Sequence, residues 1–421
     1  MAKKNRSELH PYRLLPLGLL ALAGLLLWRL CAPAPEQPPQ ETVELIIATD
    51  LHYLAPELTD HGSYFQGLIE NADGKAVEYC EEIIDAFVSQ VIAQAPDGLI
   101  LSGDLTFNGA KQSHEALVQK LRQIRDAGIP VFVIPGNHDM DNSMAASFQG
   151  DGYTRVESVT PGAFSTLYQP FGYGSALSKD PHSLSYTAQV SPNLRLLMID
   201  VNAAERPGQL AEGTLAWAEE QLTAAREAGM QVFSVSHQNL LQHNPGFAAG
   251  FVMGGNDRLL ELLEKYGVLC HFSGHMHLQH IAQSANGLHE VATSSLLVPP
   301  LQYGVLRLEG TTGQYRTAQV EVSADIGAYA KAFFWDTAYR QARRALGELP
   351  GADGMAAYFA DINAAYFSGQ MDTAEYDTEP LKKWEEQDAF LSLYLQSMAG
   401  DAGKDHTTLT FDLSGGPHGP F

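Results

Sequence analysis

Cysteine is scarce: Cys31, Cys80 and Cys270 are the three in a chain of 421 residues. No pair has the spacing of a zinc knuckle or a redox CxxC, which excludes a thiolate-held structural metal and a dithiol redox centre. Cys80 and Cys270 lie in apolar, periodic segments and read as buried free thiols; spacing does not say whether they pair with each other. Basic residues are also few, 26 Lys+Arg against 49 Asp+Glu, for a formal net charge of −23. So acidic a surface repels polyanions, and no nucleic-acid polymer is expected as a partner. A site whose local charge is reversed by bound cations remains compatible with it. Internal repeats and long low-complexity runs are absent. What remains is 45% apolar and 18% charged, an ordinary globular balance that can bury a large core.

The N-terminus carries Lys3, Lys4, Arg6 and Arg13 ahead of an apolar run from Leu14 to Trp28, followed by the Pro-rich "APAPEQPPQ". The run is shorter than the ~20 residues of a full membrane span. It fits the apolar centre of an export signal with positive charge kept inside. Residues 1–31 are expected to be an uncleaved signal anchor contacting the membrane, 32–42 a linker, with the bulk of the chain extracytoplasmic. Secretion after cleavage is the second expectation, since Ala32-Pro33-Ala34 resembles a small-residue cleavage site although Pro35 would hinder it.

Strands and helices then alternate. Strands are expected at 43–49, 98–102, 131–135, 184–190, 194–200, 231–236, 288–293, 303–309 and 315–322, with a further one just before Gly274. Helices are expected at 76–94, at 113–128 with Ser113 as cap and Gly128 as stop, at 214–229 and at 256–266. A Gly- and aromatic-rich stretch, roughly 141–182, shows no period. Alternation predicts an α/β domain over 43–322, and continuous apolar strands such as "GLILS" and "VFVIP" predict sheets covered on both faces. From Asp325 the texture is helical, so 323–404 is expected to form a helical domain whose Tyr, Phe and Trp stripe is core packing. Residues 405–421 are Gly/Pro-rich and expected to be a loose tail.

The chemistry sits just past the strands. Asp50 and His52 follow "ELIIAT", Asp104 follows "LILSG", and Asn137, His138 and Asp139 follow "VFVIPG". His237 follows "VFSVS", and His275 and His277 follow "LCHFSG". In open α/β sheets ligands gather outside the carboxyl ends of strands. Carboxylate, imidazole and carboxamide together suit Mn, Fe, Zn, Co or Ni rather than Ca. Up to seven ligands exceed what one four- to six-coordinate ion needs, which points to two ions sharing a carboxylate, an arrangement that clamps displacement at phosphorus.

The ordered set Asp50-Leu-His52, Gly103-Asp104, Gly136-Asn137-His138-Asp139, His237 and Gly274-His275-Met276-His277 resembles the motif series of the calcineurin-like metallophosphoesterases over most of 45–300. The resemblance implies two mixed β-sheets sandwiched between helices, an α/β/β/α sandwich with a C-terminal helical extension. It implies two divalent or trivalent metal ions, one held by Asp50, His52, Asp104 and His277, the other by Asp104, Asn137, His237 and His275. It further implies that a water shared by the ions, acidified to hydroxide, attacks phosphorus. His138 would act as general acid, oriented and kept charged by Asp139. Gly274 is expected to let the backbone turn tightly enough to aim His275 and His277 at different ions.

Protein phosphatases of this superfamily carry an arginine where "GDLTFNG" places Asn108. Arginine is the usual bidentate clamp for a phosphate dianion. Its absence favours phosphodiesters or small phosphomonoesters, with a basic residue of 141–182 as a possible substitute. Asn108, His243 and His280 are candidate substrate contacts; His271, His182 and Tyr186 read as packing or solvent residues. "GDLTFNG", "SHQNLLQHN" and "SGHMHLQHI" also resemble exported bacterial members with a helical extension. The alternative is a non-catalytic, metal-stabilised surface protein acting through its helical domain.

Overall fold

The continuous apolar runs form strands, and the amphipathic runs cover them. The computed structural model describes residues 42–372 and 378–414. The first sheet runs in the order Thr408–Asp412, Thr312–Gln319, Gln302–Glu309, Thr42–Ala48, Gly98–Leu101, Val131–Val133. Its last three strands are parallel and its other neighbours antiparallel. The second sheet runs His280–Gln283, His289–Ala292, Cys270–Ser273, Gln231–Val235, Leu194–Met198, Tyr186–Ser191, Ser178–Lys179. It is parallel through its centre and antiparallel at both edges. Both sheets are therefore mixed.

Alternation along each strand places side chains on two faces. Leu196, Met198, Phe233 and Val235 join Leu45, Ile47 and Leu306 in the core between the sheets. Leu197, Ile199 and Val232 point the other way, onto Trp217, Leu222, Leu259 and Leu263 of the helices Glu212–Glu227 and Asn256–Lys265. Helix Cys80–Gln94 covers the first sheet, with Phe87 edge-on to Tyr303. The layers are helix, sheet, sheet, helix, as the motif resemblance implies.

Helices Ala324–Leu346, Ala352–Ser368, Thr378–Gln387 and Ala389–Met398 form the C-terminal helical region. Phe359, Tyr366, Trp384, Leu395 and Met398 are buried there together with Met276 and Leu278. The aromatic stripe is thus core packing, and that core reaches into the loop between His275 and His277.

Several local expectations are corrected. Helix Lys111–Asp126 begins before Ser113, and its cap is Ala110 without a side-chain bond. The buried Ser113 hydroxyl instead accepts from the Ala55 amide. The stretch 141–182 contains the hairpin Ala146–Gln149/Gly152–Arg155 and helix Pro161–Leu167. The tail beyond 405 is not loose throughout, because Thr408–Asp412 adds an edge strand to the first sheet. Phe411 and Leu413 are buried, which gives that strand its purchase. Cys80 and Cys270 are buried free thiols. The expected anchor and nearly all of the linker lie outside the described residues; among the described residues no helix is long and apolar enough to cross a membrane.

Candidate metal centre

Five strand ends converge. Asp50 and His52 follow Thr42–Ala48, Asp104 follows Gly98–Leu101, Asn137 and His138 follow Val131–Val133, His237 follows Gln231–Val235, and His275 and His277 follow Cys270–Ser273. Among the described residues nine non-glycine residues have positive φ, and Asp50, His52, Asp104, His275 and His277 are five of them. A left-handed backbone costs free energy for L-residues and persists where surrounding structure over-determines it. Here the cost is concentrated on ligand-type residues. Glycines allow the close approach: a Cβ on Gly136 would collide with the Asp104 amide and carboxylate. A Cβ on Gly274 would collide with the Thr49 hydroxyl and the Asp50 carboxylate. The expected role of Gly274 is therefore corrected from turning the chain to letting two loops touch.

The ligand atoms form two groups that share Asp104: Asp50, His52, Asp104 and His277, and Asp104, His237 and His275. In the first, His277 Nε2 is 3.0 Å from His52 Nε2 and 3.2 Å from Asp50 Oδ1. His52 Nε2 is 3.7 Å from Asp50 Oδ1 and 3.9 Å from Asp104 Oδ2. In the second, His237 Nε2 is 3.4 Å from Asp104 Oδ2, 3.3 Å from His275 Nδ1 and 3.1 Å from Asn137 Oδ1. Ligands at ~2.0–2.1 Å from a tetrahedral ion would lie about 3.4 Å from one another, and these spacings bracket that value.

The far ring nitrogens are committed elsewhere, which aims the near ones inward. His237 Nδ1–H donates to the Ser102 carbonyl at 2.9 Å. His275 Nε2–H donates to the Gly250 carbonyl at 2.8 Å. His277 Nδ1 lies 3.2 Å from the Asp73 carboxylate. Asp50 Oδ1 is fully buried without a hydrogen-bond partner, although its companion oxygen accepts from Thr49 Oγ1 and the His275 amide. Such an orphaned anionic oxygen facing two imidazole nitrogens is what a cation would satisfy, and the donor set fits divalent transition ions.

Carboxylates and imidazoles of the cage shift one another's titration. Burial alone would raise Asp104, but the surrounding imidazoles, His237 foremost, hold it well below the usual carboxylate range. Burial likewise opposes His237, yet the Asp104 carboxylate lifts it to about 9. Burial and the Lys75 ammonium push His52 well down, and burial with the neighbouring His237 pushes His275 to about 4.

His138 is partly exposed, with 39% of its side chain open. Its Nδ1–H donates to the Phe107 carbonyl at 2.9 Å, and its Nε2 lies 3.9 Å from Asp104 Oδ2. The expected Asp139–His138 pairing is corrected: the Asp139 carboxylate accepts from the amides of Leu105, Thr106 and Gly136 and from Thr106 Oγ1. It ties the Asp104 and Asn137 loops together, and burial with the nearby Asp104 raises it to about 6.

The substrate candidates divide. Asn108 lines a cavity of about 700 Å³ beside Asn137, His138 and His277, but its Nδ2 donates to the Met144 and Ala146 carbonyls. His243 and His280 line no part of that cavity. Their Nδ1 atoms are 2.9 Å apart; His243 faces the buried Glu290 and His280 faces Asp401. Both belong to a separate buried polar network. His271 is a packed strand residue bonded to Ser234 and Ser236, and the Tyr186 hydroxyl donates to the Val133 carbonyl.

Sequence reasoning missed Asp73 and Lys75. Lys75 is buried, with Nζ 3.0 Å from Asp73 Oδ2 and 3.3 Å from His52 Nε2. The one signal was a turn sequence, Asn71-Ala-Asp-Gly-Lys75. Gly74 there has φ +81° and packs against the Phe334 backbone.

The chain is similar to known proteins. The chain is 28% identical over 200 residues to Glycerophosphodiester phosphodiesterase GpdQ of Enterobacter lignolyticus, covering 45% of this chain and 60% of that protein. It is 25% identical over 191 residues to Probable glycerophosphodiester phosphodiesterase GpdQ of Arcobacter nitrofigilis, covering 43% and 57%. The chain thus spans about three-fifths of the length of these curated relatives. A solved dimetal phosphatase from Danio rerio superposes with a TM-score of 0.50 at 14% identity, over 66% of this chain and 96% of that one, a likeness of fold. The family model described as Calcineurin-like phosphoesterase matches residues 44–279, more than half of the sequence and every strand end of the cage. The chain belongs to the calcineurin-like phosphoesterase family.

Proposed function

We propose that this chain hydrolyses phosphoesters, diesters foremost, with two metal ions held by Asp50, His52, Asp104, Asn137, His237, His275 and His277. The observation that carries the reading is the pair of ligand groups sharing Asp104. Two relatives whose names state glycerophosphodiester phosphodiesterase support diesters, as does the lack of an arginine at position 108. When bound, such ions would supply the Lewis acidity that in-line displacement at phosphorus requires.

The chain's own groups do the rest. Asp104 faces both ligand groups at once. The Ser102 and Gly250 carbonyls and the Asp73 carboxylate fix the imidazole tautomers. Lys75 brings a buried positive charge to the edge of the cage, where a phosphoryl oxygen would accept from it. His138, held through Nδ1 by the Phe107 carbonyl, keeps Nε2 free to carry a proton to the leaving oxygen. The expected membrane anchor remains part of this reading: the 14–28 segment would hold the domain at the extracytoplasmic face.

The test is metal analysis of the purified chain joined to a panel of mono- and diesters. The reading expects two ions per chain and turnover of bis(p-nitrophenyl) phosphate that is lost on chelation and restored by Mn²⁺ or Zn²⁺. Chelator-insensitive turnover, or none with both ions present, contradicts it.

A further inference from the structure

The cavity beside the cage has two unlike ends. One end is formed by Asn137, His138 and His277, with Lys75 next to them; the rest is largely apolar, including Leu68, Phe107, Met144, Phe148 and Tyr153. At the outer rim, large apolar side chains stand open to solvent: Leu68 is 37%, Met144 60% and Tyr153 47% exposed. They come from two separate segments, helix Ser63–Glu70 and the stretch 144–155, which contains the hairpin Ala146–Gln149/Gly152–Arg155. The Tyr64 amide donates to the Gly150 carbonyl, and the Tyr64 ring lies 5.2 Å from that of Tyr153, so the two segments hold one wall. Apolar side chains collected at the mouth of a cavity mark a binding surface more often than chance exposure.

Several polar side chains along this wall are occupied, although Asn108 Oδ1 has no hydrogen-bond partner. Asn108 donates to the Met144 and Ala146 carbonyls. Asn142 donates to the His138 carbonyl and accepts from the Met144 amide. The Arg155 guanidinium lies over the Tyr153 ring. Against Leu68, Phe107, Met144 and Phe148 a sugar or other polyhydroxylated group would find few partners, whereas a hydrocarbon chain would bury apolar surface. The cationic and ligating end matches a phosphate, and the apolar length matches a chain attached to it.

We propose that this cavity holds the alkyl chain of the leaving alcohol, so that the substrates are amphiphilic phosphoesters. The inference rests on the phosphoesterase reading above and names its substrate class. Water's oxygen joins phosphorus and gives up one proton to solvent, the bond from phosphorus to the alkanol oxygen breaks, and His138, which lines the same cavity, supplies the alkanol's proton and is then reprotonated from solvent.

The test is a homologous series of methyl n-alkyl phosphodiesters from ethyl to octyl, kept below micelle formation, with metal-loaded full-length chain and both alcohols quantified. The value of kcat/KM is expected to rise by about fourfold per methylene, which is about 0.8 kcal/mol each, until the cavity is filled. The released alcohol is the long one. Met144→Asp and, as an independent variant, Leu68→Lys are expected to reduce the hexyl-to-ethyl ratio at least threefold; because the ratio is internal, partial loss of folded protein cancels. A flat series with bis(p-nitrophenyl) phosphate still hydrolysed overturns the alkyl assignment and leaves the phosphoesterase reading standing. A rising series that releases methanol also overturns it, since the chain would then sit on the retained side. No turnover of any ester, the nitrophenyl diester included, overturns both.

Discussion

His52 Nε2 and His277 Nε2 lie 3.0 Å apart, although 225 residues separate them in the chain. Two neutral imidazole nitrogens that face each other through lone pairs repel; a proton on one or a cation between them relieves this. Lys75 beside His52 and the depressed basicity of His52 keep the proton off His52, whereas, against burial, the Asp50 and Asp73 carboxylates raise His277, so a cation would take the place of a proton there. Chelation at pH 7 is therefore expected to lower the thermal midpoint, and re-addition of Mn²⁺ or Zn²⁺ to restore it, because ligands that bind the folded state stabilise it by mass action. A midpoint indifferent to chelator in differential scanning fluorimetry would contradict the cation.

His138 is a partly open imidazole that lies at the cage, belongs to neither ligand group and is held by a carbonyl. His138→Ala is expected to lower kcat for an alkyl diester by roughly 10²- to 10⁴-fold. An ester that releases p-nitrophenol needs little protonation and should suffer far less. Metal content should be unchanged. Equal losses on both esters would mean that His138 does not deliver the proton.

Lys75→Met removes a charge while keeping the buried stem. A charge-assisted hydrogen bond to a phosphoryl oxygen is worth about 1.5–3 kcal/mol, so kcat/KM should fall roughly tenfold to a hundredfold, with both ions retained. Steady-state kinetics beside metal analysis decides this. Unaltered kinetics would assign Lys75 to pairing with Asp73 alone.

Glu290 gives a pH dependence away from the cage. It is fully buried and accepts from the amides of Leu240 and Leu241 and from Ser273 Oγ. Burial opposes its charge, but His243 foremost, with His271 and the Ser273 hydroxyl, brings it down from 4.5 to about 2. A folded-state value below the unfolded one stabilises above the unfolded value and is lost as pH falls through the folded one. Glu290→Gln should therefore cost on the order of 3 kcal/mol at pH 7, and the gap should close between pH 4.5 and about 2. Denaturant titrations of both proteins at several pH values read this, and a gap independent of pH would exclude Glu290 as its source.

Much of the cage was legible because its residues directly follow apolar runs, and a strand's end is where a parallel sheet presents side chains to a ligand. What lay off the strands was not legible. Lys75 reaches His52 because Gly74 packs on Phe334, a contact that no local pattern announces. Asp139 adjoins His138 in sequence, yet the chain turns its carboxylate toward Gly136 and Leu105. His280 lies three residues past His277, but it opens the strand His280–Gln283, and its ring stacks on His406 at 3.9 Å. Met276, between two ligand-type histidines, is buried in the helical region's core, so one loop serves metal site and packing together.

The central claim is that seven side chains from five loops cage two ions, and anomalous diffraction from metal-loaded crystals tests it most directly. Two peaks are expected, one bounded by Asp50, His52, Asp104 and His277, the other by Asp104, Asn137, His237 and His275, with Asp104→Ala losing both. A single ion, or ions bound away from Asp104, would contradict the account.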